Sequence, residues 1–101
     1  AANYANRLEN IVFLELLRRG YTLDVGRLDS KEIDFVARRS DELLYVQVTY
    51  QIPENTHETD NLLHIRDNHK KIVITGKYDE RRQIDGIPLI YIVDWLLESN
   101  Y

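Results

Sequence analysis

Between Tyr21 and Tyr50 three short runs rich in β-branched and aromatic residues, Tyr21 to Arg27, Glu32 to Arg38 and Leu43 to Tyr50, are separated by only two polar breaks. Each break, Leu28-Asp29-Ser30-Lys31 and Arg39-Ser40-Asp41-Glu42, has the length and polarity of a hairpin turn, so the simplest arrangement is an antiparallel meander. Ahead of it, from about Asn6 to Arg19, apolar residues at Leu8, Ile11, Val12, Phe13, Leu14, Leu16 and Leu17 precede Gly20, the pattern of a helix with a glycine stop. The apolar arc is too wide for one stripe, so the helix is expected to be covered on more than one side. At 100° per residue Glu9 and Glu15 fall among apolar directions.

Beyond Pro53 the polar stretch Glu54 to Asp60 leads into Leu62, Leu63 and Ile65, which predicts a second helix ending near Asn68. Lys71 to Thr75 reads as a compact strand, Gly76 to Gly86 as a charged loop, and Pro88 to Val93 as a strand running into a short terminal helix capped by Asp94. The expected fold is therefore α/β in the order α-β-β-β-α-β-β-α, a mixed central sheet flanked by helices, with residues 1–101 forming one domain. A chain of 101 residues supports one core, hiding roughly 60 to 70% of the unfolded surface. With 44% hydrophobic and 30% charged residues and no long apolar run, a membrane segment is not expected.

Thirteen Lys plus Arg against seventeen Asp plus Glu give a net charge of −4, so contact with DNA would need a local basic patch. The absence of cysteine excludes disulfides, thiolate zinc sites and a cysteine nucleophile, and points to a reducing, cytoplasmic setting. The sequence also lacks methionine, and Ala1-Ala2-Asn3 has neither the basic nor the apolar region of a signal peptide. It is expected to be a piece of a longer polypeptide.

Period-two alternation places Glu32, Asp34 and Val36 on one face of the second strand and Ile33, Phe35 and Ala37 on the other. In the third strand Leu43, Tyr45, Gln47 and Thr49 share a face, opposite Leu44, Val46, Val48 and Tyr50. If these strands are hairpin partners, Asp34 and Gln47 meet at the same end of the sheet. Oxygen groups clustered in that way can hold a hard divalent cation that activates water and stabilises phosphoryl charge. The plainer reading of Asp34 is an acid at a sheet edge or in a structural ion pair.

Glu9, then Glu32-Ile33-Asp34-Phe35, then Tyr45-Val46-Gln47-Val48-Thr49 resembles the helix acid, strand Asp and (D/E)-x-K line of the PD-(D/E)xK, or restriction-endonuclease-like, nuclease superfamily, whose core has the α-β-β-β-α-β order. More narrowly, Arg7 through Tyr21 followed by Lys31 through Ala37 is similar to the C-terminal domain of a prokaryotic AAA-type ATPase family. The resemblance covers nearly the whole chain and implies that Asp34 is a metal ligand, Glu9 an auxiliary acid, position 47 the second metal-binding carboxylate and position 49 the lysine. Gln47 and Thr49 depart from that line. A neutral amide weakens a cation site, and losing the lysine removes an electrostatic donor of a kind worth on the order of 100-fold or more in rate. The resemblance thus implies a nuclease-like site that is vestigial or weak, with Mg or Mn as its cation if it is active, and with ATP bound only in the remainder of a parent chain.

Lys70 and Lys71 could replace the missing cation and contact phosphate, although they and Arg81-Arg82 read more simply as solvated charges. His57, His64 and His69 lack zinc-binding spacing and are expected at the surface. Tyr45, Tyr50, Tyr78 and Tyr91 suit sheet packing better than base stacking. The expected partners are DNA and the ATPase portion of the parent polypeptide, with a homo-oligomer also possible. An active metal-dependent DNA endonuclease is the alternative, and a protein-binding module presenting an exposed terminal helix around Trp95 is the third.

Overall fold

The computed structural model describes residues 4–28, 31–52 and 68–98. Helix α1 (Tyr4–Arg18) is followed by strands β1 (Thr22–Leu28), β2 (Lys31–Arg39), β3 (Glu42–Thr49), β4 (Lys70–Thr75), β5 (Gln83–Ile84) and β6 (Ile87–Tyr91), and then by helix α2 (Ile92–Leu97). The six strands form one mixed sheet in the order β1-β2-β3-β4-β6-β5. The meander is present: β1 pairs antiparallel with β2, and β2 with β3. β3, β4 and β6 run parallel, and β5 closes the far edge as a hairpin with β6. The polar stretch Glu54 to Asp60 and the expected helix through Leu62, Leu63 and Ile65 lie outside the described residues, as do His57 and His64.

α1 ends as its sequence requires. Gly20 adopts φ +92, its N–H bonds Leu17 O at 2.9 Å, and Tyr21 N–H bonds Leu16 O at 3.0 Å. These two bonds and the apolar partners Leu16 and Tyr21, both buried, make a Schellman cap that turns the chain into β1. Val12 and Leu16 of α1 and Ile92 and Trp95 of α2 pack with Phe35, Val46, Ile72 and Ile74 on one face of the sheet. Ile33, Val36, Tyr45, Val73, Ile87 and Leu89 form a second apolar cluster. Together these account for the near-continuous apolar runs of β3 and β4, whose residues are buried on both sides. No helix among the described residues is long and apolar enough to cross a membrane.

Three expectations require correction. Gly76 to Gly86 is not all loop: Ile84 and Ile87 pair across Asp85 and Gly86, both at positive φ (53° and 83°), a two-residue turn whose twist suits a hairpin. Asp94 does not cap the terminal helix, because α2 starts at Ile92 with Tyr91 at the N-cap and Asp94 already in the first turn. There its charge faces the positive end of the helix dipole. Nor is the Trp95 side chain itself displayed by the terminal helix. It is 1% exposed and is the largest fully buried side chain among the described residues, although Val93, Asp94, Leu96 and Leu97 around it on α2 are exposed.

Arg19 ties the two helices together. Its side chain, 6% exposed, bonds Glu15 Oε2 at 2.7 Å, Trp95 O at 2.6 Å and Glu98 O at 2.8 Å, and its guanidinium carbon lies 4.5 Å from the centre of the Trp95 ring. Two carbonyls at the end of α2 thereby gain a charged donor, Trp95 O in addition to the Glu98 N–H it accepts at 3.3 Å. Arg18 and Arg19 together hold the Glu15 carboxyl down to about 2, with the Arg18 hydrogen bonds the largest cause.

Candidate functional site

The geometry at Asp34 begins with an irregular ladder. β1 and β2 are in register from Thr22↔Arg38 to Val25↔Phe35, but the next pair is Gly26↔Ile33. Asp34 is therefore the extra residue of a β-bulge. The bulge breaks the alternation read from the sequence: Ile33 packs with Val36 in the second cluster, whereas Phe35 and Ala37 face α1. On the other side of β2 the ladder with β3 ends at Phe35↔Val46, while β3 continues alongside β4 as far as Thr49. β2 and β3 thus part company at Asp34 and Gln47.

Backbone groups left without ladder partners are satisfied by the two side chains. Val48 N–H donates to Asp34 Oδ2 at 2.8 Å, and Asp34 N–H donates to Gln47 Oε1 at 3.3 Å. Each side chain closes the gap opened by the other's strand, in place of the backbone pairs that would have formed between residues 34 and 47 and their neighbours. Both residues are half-buried.

Glu9 completes the cluster from α1. Its half-buried carboxyl is raised above the ordinary value of 4.5 by burial, then by the neighbouring Asp34 charge, then by a hydrogen bond to the Asp34 side chain. Two carboxyls that approach so closely favour one shared proton over two charges. Glu9 is held there by the flanking residues of its helix, since Leu8 and Phe13 pack against the first cluster and Phe13 meets Phe35 at 6.0 Å between ring centres.

The structure brings Glu9, Asp34 and Gln47 together, but not the remaining expected residues. Thr49 Oγ1 donates to Gln51 O at 3.2 Å and offers no cationic group. Lys70 and Lys71 pair with Leu44 and Tyr45, at the other end of β4 from Val73 and Thr75, which lie beside Gln47 and Thr49. That displacement is two to three residues from the level of Gln47 and four to five from that of Thr49, about 7–17 Å along the strand. Lys71 Nζ instead bonds His69 O at 2.9 Å and lies 5.4 Å from the Tyr45 ring centre, while Lys70 lines a separate cavity of about 420 Å³ with Tyr21, Arg39, Glu42 and His69. His69 is exposed, as expected.

Of the tyrosines, Tyr45 is buried in packing, whereas Tyr50 and Tyr78 are exposed. Tyr78 meets Tyr91 edge-on at 6.0 Å beside a cavity of about 240 Å³ at the ends of β4 and β6. Arg81 is not a loosely solvated charge: it bonds both Asp79 carboxylate oxygens and Ile52 O, and Asp79 is lowered accordingly. Arg82 is exposed.

As a metal centre this donor set does not fit a hard divalent cation. One carboxyl is raised by burial beside the other, the amide oxygen already accepts a backbone N–H, and among the described residues no group of three or more His, Cys, Asp or Glu is placed to hold an ion. Sequence reasoning missed the bulge that aims Asp34 and the anchoring role of Arg19. The bulge has a faint signal in Gly26, a glycine inside a strand pattern.

No family model matches the chain, and no solved structure matches it. Over 97 residues, 96% of its length, the chain is 77% identical to a protein of Haemophilus influenzae described as an uncharacterized protein. The matched stretch makes up 24% of that relative, so the chain spans about a quarter of the length of the curated relative it matches.

Proposed function

We propose that this is a restriction-endonuclease-like domain whose metal site has become a structural hydrogen-bond cluster, and that it serves a longer ATPase polypeptide through contact with DNA or a partner rather than by cleavage. One observation carries this reading: Asp34 and Gln47 use their side-chain oxygens on each other's strands, where a nuclease of this type would turn them toward a cation. Gln47 adds no negative charge, Thr49 supplies no cation, and neither Lys70 nor Lys71 stands in for it. A cytoplasmic setting belongs to the same reading. The test is incubation with labelled duplex, forked and single-stranded DNA in Mg²⁺ or Mn²⁺. The reading predicts no cleavage above background, and cleavage abolished by Asp34→Ala would overturn it.

An active metal-dependent DNA endonuclease is the second reading. It is favoured by the placement of two carboxyls, Glu9 and Asp34, side by side where β2 and β3 separate. Its requirement is that a cation compete with the protonation that burial and Asp34 favour at Glu9, which the same assay addresses.

A further inference from the structure

Six of the eight exposed large hydrophobic residues among the described ones lie on two helices: Ile11, Leu14 and Leu17 on α1, and Val93, Leu96 and Leu97 on α2. The other two are tyrosines, so every aliphatic side chain of this class is on a helix. Their exposures run from 37% to 82%. The helices pack on the same face of the sheet and are tied by Arg19, whose side chain bonds the Trp95 and Glu98 carbonyls. Aliphatic surface concentrated in this way marks an interaction site, whereas singly scattered residues would need no explanation.

We infer that this helical face is a docking surface for the remaining three-quarters of a polypeptide of the Haemophilus type, which covers it with an apolar surface of its own. The inference is independent of the nuclease-like reading. Its grounds are the size of the face and the length of the relative. A 15-residue helix is about 22 Å long and a 6-residue helix about 9 Å, each about 10 Å wide, a footprint on the order of 300 Å². A stable free dimer buries roughly 800 Å² per partner, whereas interfaces between domains of one chain begin near 600 Å² in total, or about 300 Å² a side. Covalent connection raises the effective concentration to the millimolar range, enough to hold an interface of that size. In the relative, 76% of the polypeptide lies outside the matched stretch and is available to supply the other side.

The chain contains no cysteine, which makes single thiols clean reporters. Leu14→Cys, Leu97→Cys and, as a control in the turn between β2 and β3, Asp41→Cys are placed in this chain and in the intact Haemophilus protein carrying this sequence in place of its matched stretch. N-ethylmaleimide labelling is followed by peptide mass spectrometry. Both leucine positions are expected to label at least tenfold more slowly in the intact protein, and Asp41→Cys at the same rate in both. Equal rates at Leu14 and Leu97 overturn the inference. So does slow labelling in the short chain accompanied by a dimer mass in sedimentation, because a second copy would then be the occupant. Should the exchanged protein misfold, hydrogen exchange on the unaltered Haemophilus protein decides: peptides matching residues 8–18 and 92–97 must exchange at least tenfold more slowly than in the short chain, and equal exchange overturns the inference.

Discussion

Replacing Arg19 by alanine removes the tie between the helices and leaves three acceptors with less than they had. The Trp95 and Glu98 carbonyls each lose a charged hydrogen bond of 2.6–2.8 Å, an interaction of a kind worth about 1.5–3 kcal/mol. Losses on both are incomplete, since Trp95 O still accepts Glu98 N–H at 3.3 Å and Glu98 is only half-buried. Glu15 keeps Arg18, whose side chain is 67% exposed and therefore worth little in water. Allowing about 1 kcal/mol for each of the two weakened carbonyl bonds, and about 1 kcal/mol for the Glu15 contact and the lost packing on Trp95 together, the expected cost is about 3 kcal/mol. For a domain of this size that lowers Tm by about 12–24 °C. Urea unfolding followed by Trp95 fluorescence measures it, with Arg19→Lys as a companion that retains charge but cannot fork to all three acceptors. The acid limb carries the same signature. With Glu15 held to about 2, its stabilisation is fully present above about 4.5 and is lost as pH falls from there toward 2, so Arg19→Ala should narrow that loss. A cost under about 1 kcal/mol at pH 7, or an unchanged acid limb, would refute the reasoning.

Other perturbations bear on the site and its supports. A Cβ at Gly76 would come within 2.5 Å of Leu8 and 2.9 Å of Tyr50, so Gly76→Ala should destabilise by about 1–3 kcal/mol in thermal melts and displace the helix turn that carries Glu9; a neutral result would mean that α1 sits less tightly there. Glu9→Gln supplies a neutral donor to Asp34. Because the Glu9 carboxyl is raised, its cost is absent below about 4.5 and appears as pH rises through its folded value, so the variant should gain on the parent by at most about 1.4 kcal/mol per pH unit, read from urea midpoints at pH 4, 5.5 and 7. A constant difference across that range would contradict the shared proton. Gln47→Glu combined with Thr49→Lys should raise Mg²⁺ or Mn²⁺ affinity in calorimetry, and no gain would tell against this placement of the site.

What the sequence made legible follows from how local each signal is. The Gly20 stop, the three-strand meander and the meeting of Asp34 with Gln47 depend on neighbouring residues and simple periods, and all are present. The β5–β6 hairpin was equally local, since Asp85-Gly86 between two isoleucines is a strong turn signal that the surrounding charges concealed. Other features are tertiary. A bulge at Asp34 moves Ile33 to the opposite face, and strict alternation cannot anticipate it. Trp95 looked like a surface residue because α2 is short, yet α1 and Arg19 bury it. Glu9 was legible as an acid among apolar positions, but its partnership with Asp34 depends on how α1 crosses the sheet.

The central claim, that Glu9, Asp34 and Gln47 form a closed structural cluster, is tested most directly by carboxyl-carbon NMR titration of the protein with and without 10 mM Mg²⁺. The account predicts that Glu9 titrates above 4.5 and that Mg²⁺ leaves its titration and the Asp34 resonance unchanged. A Glu9 titration at or below 4.5, or one driven down by Mg²⁺ together with a shift at Asp34, would show the carboxyls open to a cation and contradict it.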